Sequence, residues 1–152
     1  IIGRRDRFSD DLCVAMSDLE QQSSTNTGLN LTVALDYGGR QDISNAVTRI
    51  AEELESGMLT AAEINDDLLK SRMQTKILPP VDLLIRTGGE QRLSNFLLWD
   101  LSYAELFFSA KLWPDFSTTD FFAALDWFEQ RQRRFGGGRY DDKHQLHAVV
   151  SD

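Results

Sequence analysis

The chain has 152 residues, a formal net charge of −8 at pH 7 and a sequence pI near 4.7. This acidity argues against a nucleic-acid-binding protein, because such proteins carry basic surfaces that neutralise phosphates. A single cysteine excludes an internal disulfide, and no apolar run reaches the roughly 18 residues that predict a membrane-spanning helix.

The first predicted elements are a strand end, a helix and a second strand. Ile1-Ile2-Gly3 resembles the end of a strand whose beginning is absent, so we expect the chain to be a fragment or a processed product. Ser9 is predicted to cap a helix that ends at about Gln22. The apolar segment 29–35 predicts a parallel strand that leads into Tyr37-Gly38-Gly39-Arg40. Residues spaced three and four apart are expected on the buried face of the first helix: Leu12, Ala15, Met16 and Leu19.

Two more helices are predicted before the middle of the chain. Asp42 is expected to cap a helix through about Ser56. Thr60-Ala61-Ala62-Glu63 matches a capping box and is predicted to open a third helix through Lys70 or Met73. Strands that alternate with helices and lack a polar face predict an α/β fold, with a parallel sheet covered by helices on both faces.

The most informative strand is the apolar run from Val81 to Ile85. Two prolines precede it and Thr87-Gly88-Gly89 follows it, which predicts a short, fully buried strand. Arg86 lies at its carboxyl end, where open α/β sheets bind their ligands. We therefore expect a binding loop directly after this strand.

That loop carries groups suited to an anion with several oxygens. Arg86 and Arg92 supply two guanidinium groups, and the glycine pair is expected to bring backbone N–H groups close to a ligand. Ser94 adds a hydroxyl and is predicted to cap a helix over Asn95–Tyr103, whose positive dipole end faces the same anion. Two arginines favour a diphosphate over a single carboxylate. The alternative is that both form surface salt bridges with Asp82, Glu90 or Asp100.

The last predicted elements are a strand that starts at Glu105-Leu106-Phe107-Phe108 and a helix that begins at about Ser117. The helix end is basic, and its dipole accounts for those arginines as well as a binding role does: Arg131, Arg133 and Arg134. His144 and His147 have the spacing of metal ligands on a helix, but without a third ligand we interpret them as incidental.

A long ordered string of motifs resembles a known family. R-T-G-G-E-Q-R-L-S-N-F-L-L-W, from Arg86 to Trp99, is followed by Y-A-E-L-F-F and W-P-D-F, as in the C-terminal half of the cis-prenyltransferases, the family of the bacterial undecaprenyl diphosphate synthases. Y-G-G-R-Q-D-I and R-R-F-G-G support the resemblance. It implies that residues 1–137 are the C-terminal part of a single cis-prenyltransferase domain, followed by a flexible tail over 138–152.

The resemblance also implies an activity and its residues. The enzyme would transfer isopentenyl units from isopentenyl diphosphate to an allylic diphosphate such as farnesyl diphosphate, building a cis-polyprenyl diphosphate such as undecaprenyl diphosphate. Arg86, Arg92 and Ser94 would hold the diphosphate of isopentenyl diphosphate, helped by backbone N–H groups around Leu93. Glu105 would bind Mg²⁺, whereas its residue type alone leaves open a salt bridge to a nearby arginine.

The remaining implications concern assembly and location. The resemblance implies a homodimer in which Arg134 and Gly136 reach the partner's diphosphate site, in a cytoplasmic enzyme with peripheral contact at the inner membrane surface. The family's D-G-N-G-R-W motif, which contains its catalytic aspartate, has no match here. We therefore expect no catalytic residue in this chain and no activity from the chain alone. Two alternatives are a non-catalytic subunit of the same fold and an unrelated diphosphate-binding α/β module.

Overall fold

The computed structural model describes residues 1–131 and 148–151 and divides the chain into two compact units, Ile1–Ile77 and Leu78–Asp152. All strand pairs among the described residues are parallel, and the strands alternate with α-helices. This confirms the parallel α/β class. Within the described residues, no helix has both the length and the apolar character needed to cross a membrane.

The first unit pairs two very short strands. Its elements are β1 (Ile2–Gly3), α1 (Asp10–Ser23), β2 (Ala34–Leu35), α2 (Gly39–Glu55) and α3 (Asp66–Arg72). The predicted strand over 29–35 is therefore confined to its last two residues. Leu29 and Leu31 are 93% and 78% exposed, so the earlier apolar residues of that segment have no core to enter.

Helix caps account for where the helices of this unit begin. Ser9 caps α1 as predicted, its hydroxyl accepting the Leu12 N–H at 3.4 Å. The Thr60 capping box forms, but it encloses only a 3₁₀ turn over Ala61–Glu63. The α3 helix has its own cap, because the Asn65 side chain accepts the Leu68 N–H at 2.9 Å. The predicted third helix thus starts five residues later than its capping box indicates.

Asp42 was predicted to cap α2, and this is wrong, because the helix begins at Gly39 after Gly38. Asp42 lies in the first turn and is only 1% exposed. Its Oδ1 accepts the Gln74 N–H at 2.7 Å, and its Oδ2 accepts the Tyr37 hydroxyl at 3.1 Å. The carboxylate therefore ties the loop after β2 to the segment that follows α3.

The expected buried face of α1 is largely exposed. Met16 is buried at 4%, whereas Leu12 and Leu19 are 43% and 60% exposed. In α2, by contrast, the apolar residues Ala46 and Ile50, four positions apart, are both buried. Periodicity identifies an apolar stripe, but it does not say whether another element packs against it.

The second unit is built around one central strand. Its elements are β3 (Leu83–Arg86), β4 (Glu105–Phe108), α4 (Thr118–Glu129) and β5 (Ala148–Ser151), with the strand order β4-β3-β5. Leu83, Leu84 and Ile85 are at most 1% exposed, as predicted for a buried strand. Ala124 of α4 packs on β3 with aromatic neighbours around it. The α4 helix has a capping box that begins at Ser117, as predicted.

The helix predicted over Asn95–Tyr103 is absent, and this segment is a series of turns. Ser94, Asn95 and Leu97 have φ angles of 47°, 69° and 41°, in the left-handed region. An N-cap residue needs an extended backbone, so Ser94 cannot act as one in this conformation. Part of the expected tail, Ala148–Ser151, forms β5, and its other residues lie outside the described part of the chain.

Candidate functional site

The site is centred on Arg86, the last residue of β3. The Arg86 carbonyl accepts the Ser109 N–H at 2.8 Å, which fixes its backbone beside the end of β4. Its Nη1 donates to the Ser94 hydroxyl at 3.1 Å and makes a close contact to the Arg92 carbonyl. Residues predicted to share one anion site, Arg86, Arg92 and Ser94, are therefore brought together by the fold.

Arg86 keeps unused donors. Its Nε is buried, and within the described residues it has no hydrogen-bond partner. In the same part of the chain, the hydrogen bonds of this guanidinium all involve Nη1. A buried donor without a partner costs about 1–3 kcal/mol, so such a group calls for an acceptor. The Nε and Nη2 donors form the edge of the guanidinium that suits bidentate binding of a phosphate.

Arg92 is paired with an acid, as the salt-bridge alternative predicted. Its Nη1 makes a close contact with the Glu90 carboxylate. The two side chains are 65% and 45% exposed, and ion pairs at such exposure contribute about 0–1 kcal/mol. A diphosphate with several charged oxygens can therefore compete for Arg92 at little cost.

The glycine pair has a different role from the one predicted. Gly88 and Gly89 have φ angles of 86° and 79°, which favour glycine. Their N–H groups do not face a ligand, since Gly88 donates to the Lys111 carbonyl at 2.6 Å and Gly89 to the Ser109 carbonyl at 2.8 Å. The pair joins the loops that follow β3 and β4. Sequence reasoning missed Ser109 and Lys111, although parallel pairing of the two strands would place their ends together.

Among the described residues, backbone N–H groups without a hydrogen-bond partner lie next to Arg92 instead. The Leu93 carbonyl accepts the Phe96 N–H at 3.0 Å, which closes a turn. Within the described residues, the N–H groups of Leu93 and Ser94 take part in no hydrogen bond. Ser94 itself is exposed. The predicted helix dipole is absent here, so these amides and the side chains are the donors that remain.

Lys111 adds no unpaired cation to this loop. Its Nζ contacts the Asp120 carboxylate at 2.7 Å, and Asp120 also accepts the Ser117 hydroxyl at 2.6 Å. The hydrogen bond from Lys111 has the largest effect, and together with Ser117 it holds the pKa of Asp120 well below its ordinary value. The positive charge of the loop therefore comes from its arginines.

Glu105 lies away from Arg86. It begins β4 in register with Leu83, whereas Arg86 is in register with Phe108. Three positions along a parallel strand correspond to about 10 Å. Side chains alternate between faces, which places Glu105 on the face of Phe107, against α4, and Arg86 on the other face.

The separation of Glu105 from Arg86 determines whether a magnesium ion at Glu105 could also contact an anion bound by Arg86. A single carboxylate can be enough protein for Mg²⁺, which takes many of its oxygens from phosphates and water. Among the residues that the structure describes, no group of three or more metal-binding side chains is present. Glu105 therefore offers the right donor but, in this arrangement, does not meet an anion held by Arg86.

Two predicted residues at the end of the last helix, Arg134 and Gly136, lie outside the described residues. The neighbouring Arg131 is described, and its guanidinium lies 3.9 Å from the centroid of the Trp127 ring. A cation–π contact of this kind accounts for Arg131 without a ligand.

Comparisons with known proteins agree with the motifs. Residues 1–136 match a family model described as "Putative undecaprenyl diphosphate synthase". An isoprenyl transferase of Rhodopirellula baltica is 48% identical over 136 residues, which are 90% of this chain and 56% of the relative. A ditrans,polycis-undecaprenyl-diphosphate synthase ((2E,6E)-farnesyl-diphosphate specific) of Escherichia coli strain K12 is 46% identical over 143 residues, which are 94% of this chain and 56% of that relative.

Solved structures give the same result. The crystal structure of lavandulyl diphosphate synthase from Lavandula x intermedia, in complex with dimethylallyl diphosphate, matches with a TM-score of 0.85 and 41% identity over 89% of this chain and 58% of that one. The crystal structure of a probable undecaprenyl diphosphate synthase from Campylobacter jejuni matches with a TM-score of 0.74 and 33% identity, over 89% of this chain and 61% of that one. The chain thus spans somewhat more than half the length of these proteins. By the family match and these identities, the chain belongs to the undecaprenyl diphosphate synthase family, the cis-prenyltransferases.

Proposed function

We propose that the protein to which this chain belongs transfers isopentenyl units from isopentenyl diphosphate to an allylic diphosphate and builds a cis-polyprenyl diphosphate. The observation that carries the proposal is the guanidinium edge of Arg86, which has no hydrogen-bond partner among the described residues and is held at the carboxyl end of β3 by Ser94 and the Arg92 carbonyl. Family membership supplies the reaction class. Undecaprenyl diphosphate is the proposed product, because relatives such as the Escherichia coli enzyme are named for it.

The proposed role of the site is to bind and orient the five-carbon substrate. Arg86 donates from Nε and Nη2 to one phosphate, while Arg92 exchanges its exposed partner Glu90 for the other. Ser94 and the Leu93 amide complete the donor set. Holding the diphosphate at two points fixes the position of the double bond that attacks the allylic carbon, and such positioning is a large part of catalysis in two-substrate reactions.

Mg²⁺ is proposed as the cofactor, with Glu105 as a ligand. The support is the family resemblance and the preference of Mg²⁺ for carboxylate oxygens. When bound, a divalent ion stabilises the charge of a departing diphosphate. Arg86, Arg92 and Ser94 act separately from that ion in the present arrangement, by binding and orienting the other diphosphate.

The allylic substrate is proposed to be farnesyl diphosphate, which the names of several relatives specify. No segment of this chain matches the D-G-N-G-R-W motif expected to grip it, so the chain alone is proposed to be inactive. The intact protein is proposed to be a homodimer, with Arg134 and Gly136 at the partner's diphosphate site. We further propose that the intact protein is cytoplasmic and contacts the inner membrane surface peripherally, because a long apolar product would pass into that membrane.

Binding measurements test the site directly. Isothermal titration of isopentenyl diphosphate into the chain should show an affinity loss of about tenfold or more for Arg86→Lys, since lysine keeps the charge but lacks the planar fork. Arg92→Ala should lose a similar factor. Arg49→Ala is the matched control, because Arg49 is an exposed arginine of the first unit. Equal affinities for all three variants would remove Arg86 and Arg92 from the site.

Two further measurements separate this proposal from its alternatives. Incorporation of labelled isopentenyl diphosphate with farnesyl diphosphate and Mg²⁺ by the chain alone would refute its proposed inactivity. An unrelated diphosphate module should bind inorganic pyrophosphate as well as isopentenyl diphosphate, whereas a prenyltransferase site should prefer the substrate. A non-catalytic subunit should support an active partner equally well with Arg92→Ala.

A further inference from the structure

The acid that pairs with Arg92 belongs to the same loop. Glu90 is the only acidic residue between Arg86 and Ser94, and it lies two positions before Arg92. Within the described part of the chain, its carboxylate contacts Arg92 and no other cation. Arg86 pairs with no acid in that part of the chain. The two arginines therefore differ, because a diphosphate meets a competitor at Arg92 and none at Arg86.

Both ends of this loop are fixed, so Glu90 stays close to Arg92 when a ligand displaces it. Before Glu90, the Gly88 and Gly89 amides donate to carbonyls of the loop after β4, at 2.6 and 2.8 Å. After it, the Arg92 carbonyl accepts from Nη1 of Arg86. A tethered group competes at a high effective concentration, because its return is an intramolecular step. The carboxylate is consequently available whenever a phosphate oxygen leaves Arg92.

The proposed reaction needs the diphosphate at this site to be released in every cycle. The double bond of the isopentenyl unit forms a carbon–carbon bond to the allylic carbon, whose diphosphate departs with the electrons of the broken carbon–oxygen bond. The products are the lengthened diphosphate, inorganic diphosphate and a proton from the isopentenyl unit. The diphosphate bound by Arg86 and Arg92 is thus the one that the lengthened chain keeps. It has to leave both arginines before the next isopentenyl diphosphate can bind.

We propose that Glu90 promotes this release by taking back Arg92 after each addition. The inference rests on the proposed function, and it gives Glu90 a role that acts through Arg92 and not on the reacting carbons. Tighter binding of every bound state would not speed turnover, so a weaker hold on the product is useful here. The free energy of an exposed ion pair corresponds to a factor of up to about fivefold in affinity. Competition of that size weakens the hold on a diphosphate and still allows it to bind.

Removing the carboxylate tests this role. Glu90→Gln keeps the size of the side chain but not its charge, so isothermal titration should show about two- to fivefold tighter binding of isopentenyl diphosphate. Phosphorus NMR line shapes should show that the gain is a slower dissociation, because Glu90 acts on the bound state. Asp126→Asn is the matched control, since it removes the same charge from an exposed position of α4. A long-range effect of charge would instead raise the association rate and would be screened by salt.

A double substitution separates the role of Glu90 from a general effect of charge. With Arg92→Ala there is no guanidinium to take back, so adding Glu90→Gln should leave the dissociation rate unchanged. Slower dissociation that depends on Arg92 supports the proposal. Unchanged or faster dissociation in Glu90→Gln overturns it, and so does an equal gain without Arg92.

The arginine variants show which of the two proposals has failed. If Arg86→Lys and Arg92→Ala lose affinity while Glu90→Gln changes nothing, the inference about Glu90 is wrong and the proposed site stands. If the arginine variants also keep the parent affinity, the proposed site is wrong and the role of Glu90 falls with it.

Discussion

The buried carboxylate of Asp42 should dominate the stability of the first unit. Asp42→Ala removes the acceptor of two hydrogen bonds, from the Gln74 N–H at 2.7 Å and the Tyr37 hydroxyl at 3.1 Å. Hydrogen bonds to a charged group contribute about 1.5–3 kcal/mol each, and both donors are only partly buried, so we expect a loss of about 2–4 kcal/mol. Urea unfolding followed by circular dichroism measures this as a lower midpoint.

Two matched variants isolate the hydrogen bonds. Asp42→Asn keeps an oxygen for the Gln74 amide and gives the Tyr37 hydroxyl a donor in place of an acceptor, so its cost should stay below about 1.5 kcal/mol. Asp66→Ala removes an exposed acid from the first turn of α3 and reports the helix-dipole share, about 0.3–1 kcal/mol. The reasoning is refuted if the Ala and Asn variants at position 42 share one midpoint.

Two further predictions concern backbone space and pH. Gly3→Ala should unfold the β1–β2 pair, because φ is +109° and the added Cβ would lie 1.9 Å from the Leu35 carbonyl oxygen. Circular dichroism checks this: we expect the native spectrum to be lost, and a native-like spectrum would contradict the prediction. Asp120 has a depressed pKa beside Lys111 and Ser117, so its stabilisation is fully present above its ordinary value of 3.8 and is lost as pH falls below it. The stability difference between the parent and Asp120→Asn should be constant from about pH 7 to 5 and shrink below about pH 4; a difference that persists at the lowest pH would contradict this origin.

The sequence located the central strand correctly because the signals there are local. A short apolar run between prolines and glycines is long enough for a strand and too short for a helix, and β3 lies within one or two residues of the prediction. The same holds for Ser9 and for the capping box at Ser117, where side chain and backbone partner are at most three residues apart. Local chemistry of this kind needs no knowledge of the rest of the fold.

The errors arise where a distant partner decides. Ser94 has the residue type of a helix cap, yet its hydroxyl accepts from Arg86 and its backbone is left-handed, so the helix after it does not form. Asp42 also has the type of a cap, but burial and the Gln74 amide make it a tertiary anchor. The glycine pair resembles a phosphate loop, and its amides are used by Ser109 and Lys111.

The sequence alone thus determined the family, the parallel α/β class and the position of β3, because ordered motifs and short-range spacing carry that information. Only the tertiary structure decided that Arg86 keeps donors without a partner among the described residues, that Glu105 lies at the start of β4 while Arg86 lies at the end of β3, and that β5 pairs with β3. Those facts depend on which segments meet across long stretches of chain, and strand register is set by packing and by the partner strand rather than by the local sequence.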